Sequence, residues 1–387
     1  MNQKKRILEL VSKGIISVEE GIHLLEKLGE TAKTAKTKLI KQTKKDEKSN
    51  TVQKDLADEV EFNKDLSETF SQMGETFKQL GSQFKPLANQ VGDTLKSVFH
   101  SAKNSVNMKE VKIKIPTFTF QSFAALYTFV GNVATIVDIE NFNGYTKIIR
   151  SENETIILDV DGRVYGEKTA DPKEFFEQNA VIDVTDEKIF IKVPNLRIRT
   201  NFTLSLPKKV YDYVSVVNVN GDIKVNPLQA VDVTLNTKNG RVDVDNYQLT
   251  MLEVNALNGN IVVGNGEMLN SVVKTTNGTV FFRGVTKSLA VNMVNGDAKI
   301  TLSNEKIEKV LINNVNGNIK LALPNKLGIS GNAKTTFGEI KTRIKEVEVL
   351  KQQAKKVLKF KRDGEKKVDV IAKTTTGNIY LKDNYEV

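Results

Sequence analysis

Four carboxylate side chains recur at fixed places in the second half of the chain, where they could catalyse hydrolysis. Asp222, Asp297 and Glu339 each directly follow a glycine, and Asp243 lies three residues after another. Enzymes that cleave polysaccharides use paired carboxylates as acid, base or nucleophile. The equivalent positions of other repeats hold Arg241, Asn260, Thr279, Asn318, Lys224 and Lys320. This mixed charge favours solvated columns over a catalytic centre, and a polysaccharide-cleaving solenoid stays the enzymatic alternative.

The sequence contains few residues that could support other kinds of catalysis. Cysteine is absent, and the two histidines, His23 and His100, come without a second ligand at metal spacing. The glycines mark repeats and do not form a phosphate-binding loop. The sequence therefore predicts no catalytic residue, no cofactor and no metal, and a protein that is not an enzyme.

The carboxylates belong to a repeat marked by a glycine that usually follows asparagine. The marker residues are Gly221, Gly240, Gly259, Gly278, Gly296, Gly317, Gly338 and Gly377. Successive positions differ by 19, 19, 19, 18, 21, 21 and 39 residues. A fixed period of about 20 residues is typical of a solenoid. Glycine is expected at each corner because it accepts positive φ.

Residues around each glycine alternate in polarity, which indicates strands on both sides of the corner. Apolar residues stand two and four positions after the glycine and five positions before it, for example Ile261, Val263 and Val254 around Gly259. The preceding asparagines (Asn220, Asn239, Asn258, Asn277, Asn295 and Asn316) are predicted to form a hydrogen-bonded ladder. Antiparallel hairpins are the alternative for Asn-Gly. One inward set per period favours parallel stacking.

Residues 1–110 have helical patterns. Residues 1–30 predict a short helical hairpin, 31–50 a lysine-rich linker, and 51–110 an amphipathic or coiled-coil region. An apolar stripe in that region contains Phe70, Phe77, Leu80, Phe84 and Leu87. It could pack internally, mediate self-association or contact lipid. DNA recognition by the hairpin is an alternative, with nucleic acid the less favoured partner.

Residues 111–200 predict a β-rich region that caps the solenoid, with one helix from Pro172 to Gln178 capped by Asp171. Residues 201–387 predict the solenoid itself, with an insertion near 343–367. A hairpin with Asp363-Gly364 at its tip is expected in that insertion. The fold class is thus mainly β with a helical amino-terminal region: a parallel β-solenoid preceded by a helical hairpin and a long amphipathic helix.

Charge and exposed apolar residues suggest binding surfaces. The formal net charge is +10, which favours anionic partners. Basic residues are densest from Arg343 to Lys367, with ten Lys or Arg against four acids, and Val262 with Phe281 predicts an exposed apolar spot. Neither a signal peptide nor a transmembrane helix is predicted. A cytoplasmic location follows as the expectation, with association to the cell envelope or cell surface left open.

The repeats resemble a known bacterial family. LPKKVYDYVSVVNVNGDIKV, with TKNGRVDV, ALNGNIVV, TTNGTVFF, VNGNIKL and TTTGNIYL, resembles the β-strand-repeat family labelled "putative adhesin". The opening ILELVSKGIISVEEGIHLLEKL is similar to the short helical domain of LiaX-like proteins of Gram-positive bacteria. The resemblance covers about residues 4–28 and 200–382. It implies a non-catalytic sensor or scaffold in the envelope response to membrane-active peptides. Implied partners are envelope-stress membrane proteins, an anionic membrane surface or antimicrobial peptides.

Overall fold

The computed structural model describes residues 119–166 and 168–384, which form 25 strands and one helix. The strands in chain order are β1 (Phe120–Val130), β2 (Ile136–Asn143), β3 (Thr146–Arg150), β4 (Thr155–Tyr165), β5 (Val181–Val184), β6 (Lys188–Val193), β7 (Ile198–Leu206), β8 (Tyr211–Asn220), β9 (Ile223–Val225), β10 (Leu228–Asn239), β11 (Val242–Val244), β12 (Tyr247–Asn258), β13 (Ile261–Val263), β14 (Gly266–Asn277), β15 (Val280–Arg283), β16 (Ser288–Asn295), β17 (Ala298–Thr301), β18 (Lys309–Asn316), β19 (Ile319–Pro324), β20 (Gly328–Phe337), β21 (Ile340–Arg343), β22 (Glu348–Gln353), β23 (Val357–Arg362), β24 (Lys367–Thr376) and β25 (Ile379–Asn384). The helix α1 spans Pro172–Asn179.

The strands form two sheets that face each other across one core. Each coil contributes one strand to a 13-stranded sheet and one to a 12-stranded sheet, and in the central coils the first is long and the second short. Strands of successive coils pair in parallel, and residues 19 positions apart lie side by side, as with Val242 and Ile261. The predicted parallel β-solenoid is confirmed, and the antiparallel alternative for the Asn-Gly corners is wrong.

The core consists of stacked columns of aliphatic side chains. Strand alternation sends every second residue inward, so equal positions of successive coils contact each other. Val254, Ile261 and Val263 are buried, as are their equivalents along the stack. Thr342 is the exception among the positions predicted to face inward, because β21 is the last strand of its sheet and this residue is exposed.

Asparagine and glycine together build the corner between the two strands of a coil. The predicted asparagine ladder is present: Asn258 Nδ2 donates to Asn239 Oδ1 at 2.9 Å, and Asn277 Nδ2 donates to Asn258 Oδ1 at 2.8 Å. The same bond joins the other predicted members. Amide side chains suit such a ladder because each carries both a donor and an acceptor.

The reason for glycine at the corner differs from the expected one. Five of the eight predicted corner glycines have positive φ, but Gly240, Gly259 and Gly338 do not. At all eight, an added Cβ would collide with the backbone carbonyl of the corner glycine in the adjacent coil. Close backbone stacking, more than backbone conformation, therefore excludes larger residues here.

The solenoid begins earlier than the repeat pattern indicated. β2 and β3 form a coil with Gly144 at its corner, and Gly221 stacks directly on it. Residues 136–150 therefore belong to the stack and do not only cap it. The signal, Asn143-Gly144 flanked by Ile139 and Ile148, was visible in the sequence but 77 residues from Gly221.

Chain order and spatial order are exchanged at both ends of the stack. The coil of β6 and β7 lies outside the coil of β2 and β3, although it follows it in the chain. Likewise β24 and β25, the last strands, lie between the coil of β18 and β19 and the coil of β20 and β21. The carboxy-terminal strand is thus paired on both edges, which protects it from fraying.

Different elements cover the two ends. At one end α1, capped as predicted by Asp171, packs Phe176 against Phe123 of β1, with ring centroids 4.9 Å apart. At the other end β22 and β23 form an antiparallel hairpin. The predicted hairpin with Asp363-Gly364 at its tip is wrong, because β20 lies between β23 and β24. The actual hairpin turns at Ala354 and Lys355. Both residues have positive φ, a conformation that tight hairpin turns require.

The predicted elements of residues 1–110 lie outside the described residues: the helical hairpin, the lysine-rich linker and the stripe of Phe70, Phe77, Leu80, Phe84 and Leu87. Within the described part of the chain, no helix is both long enough and apolar enough to cross a membrane.

Candidate functional site

The four carboxylates considered for catalysis serve the stack or pair with nearby cations. Asp222 Oδ1 accepts from the Arg241 backbone N–H at 2.7 Å. Asp243 pairs with the Arg241 side chain at 3.0 Å. Asp297 Oδ1 likewise accepts from a backbone N–H of the next coil, and Glu339 pairs with a lysine at 3.7 Å. Each carboxylate thus has a local structural partner, and no two of them share a hydrogen bond or ion pair that would couple an acid to a base.

The outer face of the 12-stranded sheet carries a continuous column of large side chains. The column contains, in spatial order, Val262, Phe281, Lys299, Lys320, Tyr380 and Lys341. The predicted surface pair is brought together here, with Phe281 39% exposed beside Val262. The Lys299 ammonium lies 4.7 Å from the Phe281 ring centroid. The apolar spot and the lysines that follow it are therefore one surface, joined by a cation–π contact.

A groove of about 420 Å³ lies at the carboxy-terminal end of this column. We call it the basic groove; its polar lining consists of Lys299, Thr301, Lys320, Lys341, Arg343, Tyr380 and Lys382. The other lining residues, Ile300, Leu321, Ala322 and Leu381, are buried beneath them. The lining comes from β17, β19, β25 and β21, which are neighbours in the sheet. Five cationic side chains and one phenol thus line one groove on the outer face of the sheet.

Positive charge predominates in the basic groove. No carboxylate belongs to its lining, and Glu339, which pairs with Lys341, stands beside it. Among the described residues, no carboxylate pairs with Lys320, Lys382 or Arg343. Tyr380 lies between two of the lysines, with Lys320 and Lys341 ammonium groups 6.0 and 5.9 Å from its ring centroid. The groove therefore presents an excess of positive charge to solvent, a potential that attracts anions.

The basic stretch Arg343–Lys367 does not itself form this groove. Only Arg343 of that stretch lines it. Arg362 is buried in an ion pair, Lys361 pairs with Glu348 at 2.9 Å, and Lys366 pairs with Glu305 at 3.8 Å. The groove lysines come instead from separate coils. Most of these lysines lie three or five residues after a corner glycine, at positions that strand alternation predicts to face outward, so the sequence could have identified them.

A second hollow, of about 750 Å³, lies beside the corners of the first coils. Its lining includes Asn143, Asn220, Tyr145 and Asp222. The two asparagines are members of the ladder, joined at 3.0 Å, and Asp222 binds the next coil. Most of its polar groups are therefore engaged in holding the stack.

The outward asparagines of the 13-stranded sheet are similarly engaged. Asn255 Nδ2 donates to Asn236 Oδ1 at 2.8 Å, and Asn313 Nδ2 donates to Asn292 Oδ1 at 3.0 Å. Between them Lys274 pairs with Glu253 at 3.3 Å, in side chains 16% and 11% exposed. The polar side chains of this column therefore mostly bond to one another. In residues 119–166 and 168–384 no cluster of His, Cys, Asp or Glu could hold a metal ion.

The chain is similar to known proteins over most of its length. The sequence profile of the family described as Toastrack DUF4097 matches residues 136–382, and that of the SHOCT-like domain matches residues 2–33. The chain is 31% identical over 386 residues to "Uncharacterized protein YvlB" of Bacillus subtilis (strain 168), with 98% of both chains covered. A "putative adhesin" from Parabacteroides distasonis ATCC 8503 aligns with a TM-score of 0.35 and 8% identity, covering 68% of this chain and 97% of that one. One from Bacteroides fragilis NCTC 9343 aligns with a TM-score of 0.33 and 13% identity, over 68% and 97%. The match over residues 136–382 starts at the first strand of the Gly144 coil and ends in the last strand, so the chain belongs to the Toastrack DUF4097 family.

Proposed function

We propose that this protein is a non-catalytic binding scaffold of the bacterial cell envelope. The observation that carries the proposal is the basic groove, in which five cations converge with no carboxylate in the lining. Groove cations without a carboxylate partner, such as Lys320, Lys382 and Arg343, are consistent with recognition of an anionic partner. The rigid stack holds this surface in one shape, so the strands need not rearrange on binding.

The polysaccharide-cleaving alternative can be tested directly against the binding proposal. Purified full-length protein is mixed with isolated bacterial envelopes and sedimented, and released reducing sugar ends are measured in the supernatant. Binding without release of sugar is expected, because Asp222, Asp297 and their equivalents are engaged within the stack. An Asp222→Asn variant should behave like the parent. Sugar release that this variant abolishes would establish an enzyme and refute the proposal.

The finer part of the proposal is that the scaffold senses membrane-active peptides. Its support is the resemblance of the amino-terminal residues to LiaX-like proteins, together with the formal charge of +10. The stripe of Phe70, Phe77, Leu80, Phe84 and Leu87 is then the lipid contact, and anionic lipid attracts the chain from a distance.

Vesicle sedimentation tests this sensor role. Full-length protein is mixed with anionic vesicles, with and without a membrane-active peptide. Phe77→Ser and Phe84→Ser together should weaken binding, while the control Phe337→Ser, which changes an exposed phenylalanine of β20, should not. If vesicles retain no protein under either condition, the sensor role is lost. If the Phe77 and Phe84 changes instead alter the oligomeric state, the stripe is a packing surface.

A further inference from the structure

The basic groove is elongated along the stack, and its length restricts the ligands that can use it fully. Lys299, Lys320 and Lys341 share one column along the stack, at the first, second and fourth of four adjacent strands. Three strand spacings of about 4.8 Å place the outer two about 14 Å apart. A single small anion cannot neutralise both. A ligand that uses the whole groove must carry several negative charges in a row.

A second column of the groove widens the positive surface. Lys382 and Arg343 stand two residues further along their strands than Tyr380 and Lys341, which places them about 7 Å to the side. Their backbones are register partners, so the two charges are neighbours. The groove is thus an elongated strip of cations that runs parallel to the solenoid axis.

The chemistry of the lining favours phosphate charge. Four of the five cations are lysines, which act on an anion as mobile point charges, and the one arginine can donate two parallel hydrogen bonds to phosphate oxygens. The aromatic ring is already held between two ammonium groups and leaves little stacking surface for a nucleic-acid base. A concave strip also fits a chain better than a flat membrane surface.

From these contacts we infer that the basic groove binds a linear phosphate-bearing polymer without bases, which lies along the solenoid axis. The inference rests on the proposed binding function and specifies its ligand class. Lys299, Lys320, Lys341 and Lys382 neutralise successive phosphates, and Arg343 holds the end of the bound segment.

Titration of the full-length protein with long-chain inorganic polyphosphate tests the inference. Lys320→Gln with Lys382→Gln should weaken binding about 25-fold, since each removed lysine weakens attraction about fivefold. The salt dependence of log K should fall by about one unit per lysine. The matched control is Lys147→Gln with Lys224→Gln, which removes the same charge from the same outer face at the opposite end. This control should bind like the parent.

The outcomes separate the inference from the proposed function. Equal weakening by both double variants would mean that net charge, not the groove, attracts the polymer, and the inference would be overturned. Tighter binding of single-stranded oligothymidylate, or retention only by vesicles of phosphatidylglycerol and phosphatidylcholine, would overturn the phosphate-polymer class. If isolated envelopes retain the protein while polyphosphate does not, the inference fails alone. If envelopes retain none, the proposed function fails as well.

Discussion

The buried ion pair between Arg362 and Asp383 fixes the exchanged end of the stack. Arg362 Nη1 and Asp383 Oδ1 lie 2.6 Å apart, in side chains 5% and 1% exposed. The same guanidinium donates to the carbonyls of Leu327 and Pro324, both at 2.8 Å. The other carboxylate oxygen accepts from the Lys345 backbone N–H at 2.8 Å. One pair therefore ties β23 to β25 and to the turn between β19 and β20.

Asp383→Asn removes the charge while keeping the side-chain shape and one acceptor oxygen. The guanidinium is then left buried and unpaired, which costs about 3–5 kcal/mol in the free energy of unfolding. We expect the lower end of that range because the oxygen can still accept from Lys345. Arg362→Met should cost at least as much, since it also leaves the Pro324 and Leu327 carbonyls without this donor.

Urea unfolding followed by circular dichroism measures the total loss, and hydrogen exchange resolved along the chain shows where it occurs. Coil arrays lose structure locally, so β20 to β25 should lose protection while β8 to β14 keep it. The control is Lys361→Ala, at the next position in the chain, because its ion pair with Glu348 is exposed and should contribute little. Equal effects of Asp383→Asn and Lys361→Ala would refute the reasoning.

The remaining predictions concern the corner, the ladder and alkaline pH. Gly259→Ala should unfold the central coils in a thermal melt, because its Cβ meets a backbone carbonyl of the adjacent coil, whereas Asn260→Ala should cost only about 1 kcal/mol for one lost hydrogen bond. Asn258→Ala breaks two ladder bonds and should lower the free energy of unfolding by about 1–2 kcal/mol in a urea titration. No change would mean that the ladder does not stabilise the fold. Burial of Tyr127 is the larger cause, and its hydrogen bond to Glu177 the smaller one, of a rise in the pKa of this phenol from its ordinary 10.0 to about 12. Because the folded state holds this proton longer, stability should fall as pH rises from about 10 to about 12, and Tyr127→Phe should flatten that fall in alkaline unfolding curves.

The repeat could be predicted from the sequence because the same position in successive coils has the same environment. The Asn-Gly marker, the inward columns and the ladder follow from strand alternation and from stacking of like on like. Asn239, Asn258 and Asn277 bond as their spacing of 19 residues predicts. The carboxylates were predicted to lie in solvated columns, and the structure adds that Asp222 and Asp297 accept from backbone N–H groups of the next coil.

The sequence alone therefore determined the coil, its inward face and its corner residues, all of which depend on contacts one repeat away. The order of the end coils was decided only in three dimensions, because β20 pairs with β23 on one edge and with β24 on the other, and the local pattern of a strand does not specify which strand takes each edge. The groove is also a tertiary property: Lys299, Lys320 and Lys382 are separated by 21 and 62 residues in the chain, and stacking alone makes them neighbours. Local periodicity fixes which way a side chain points, whereas the stacking order fixes which other side chains it meets.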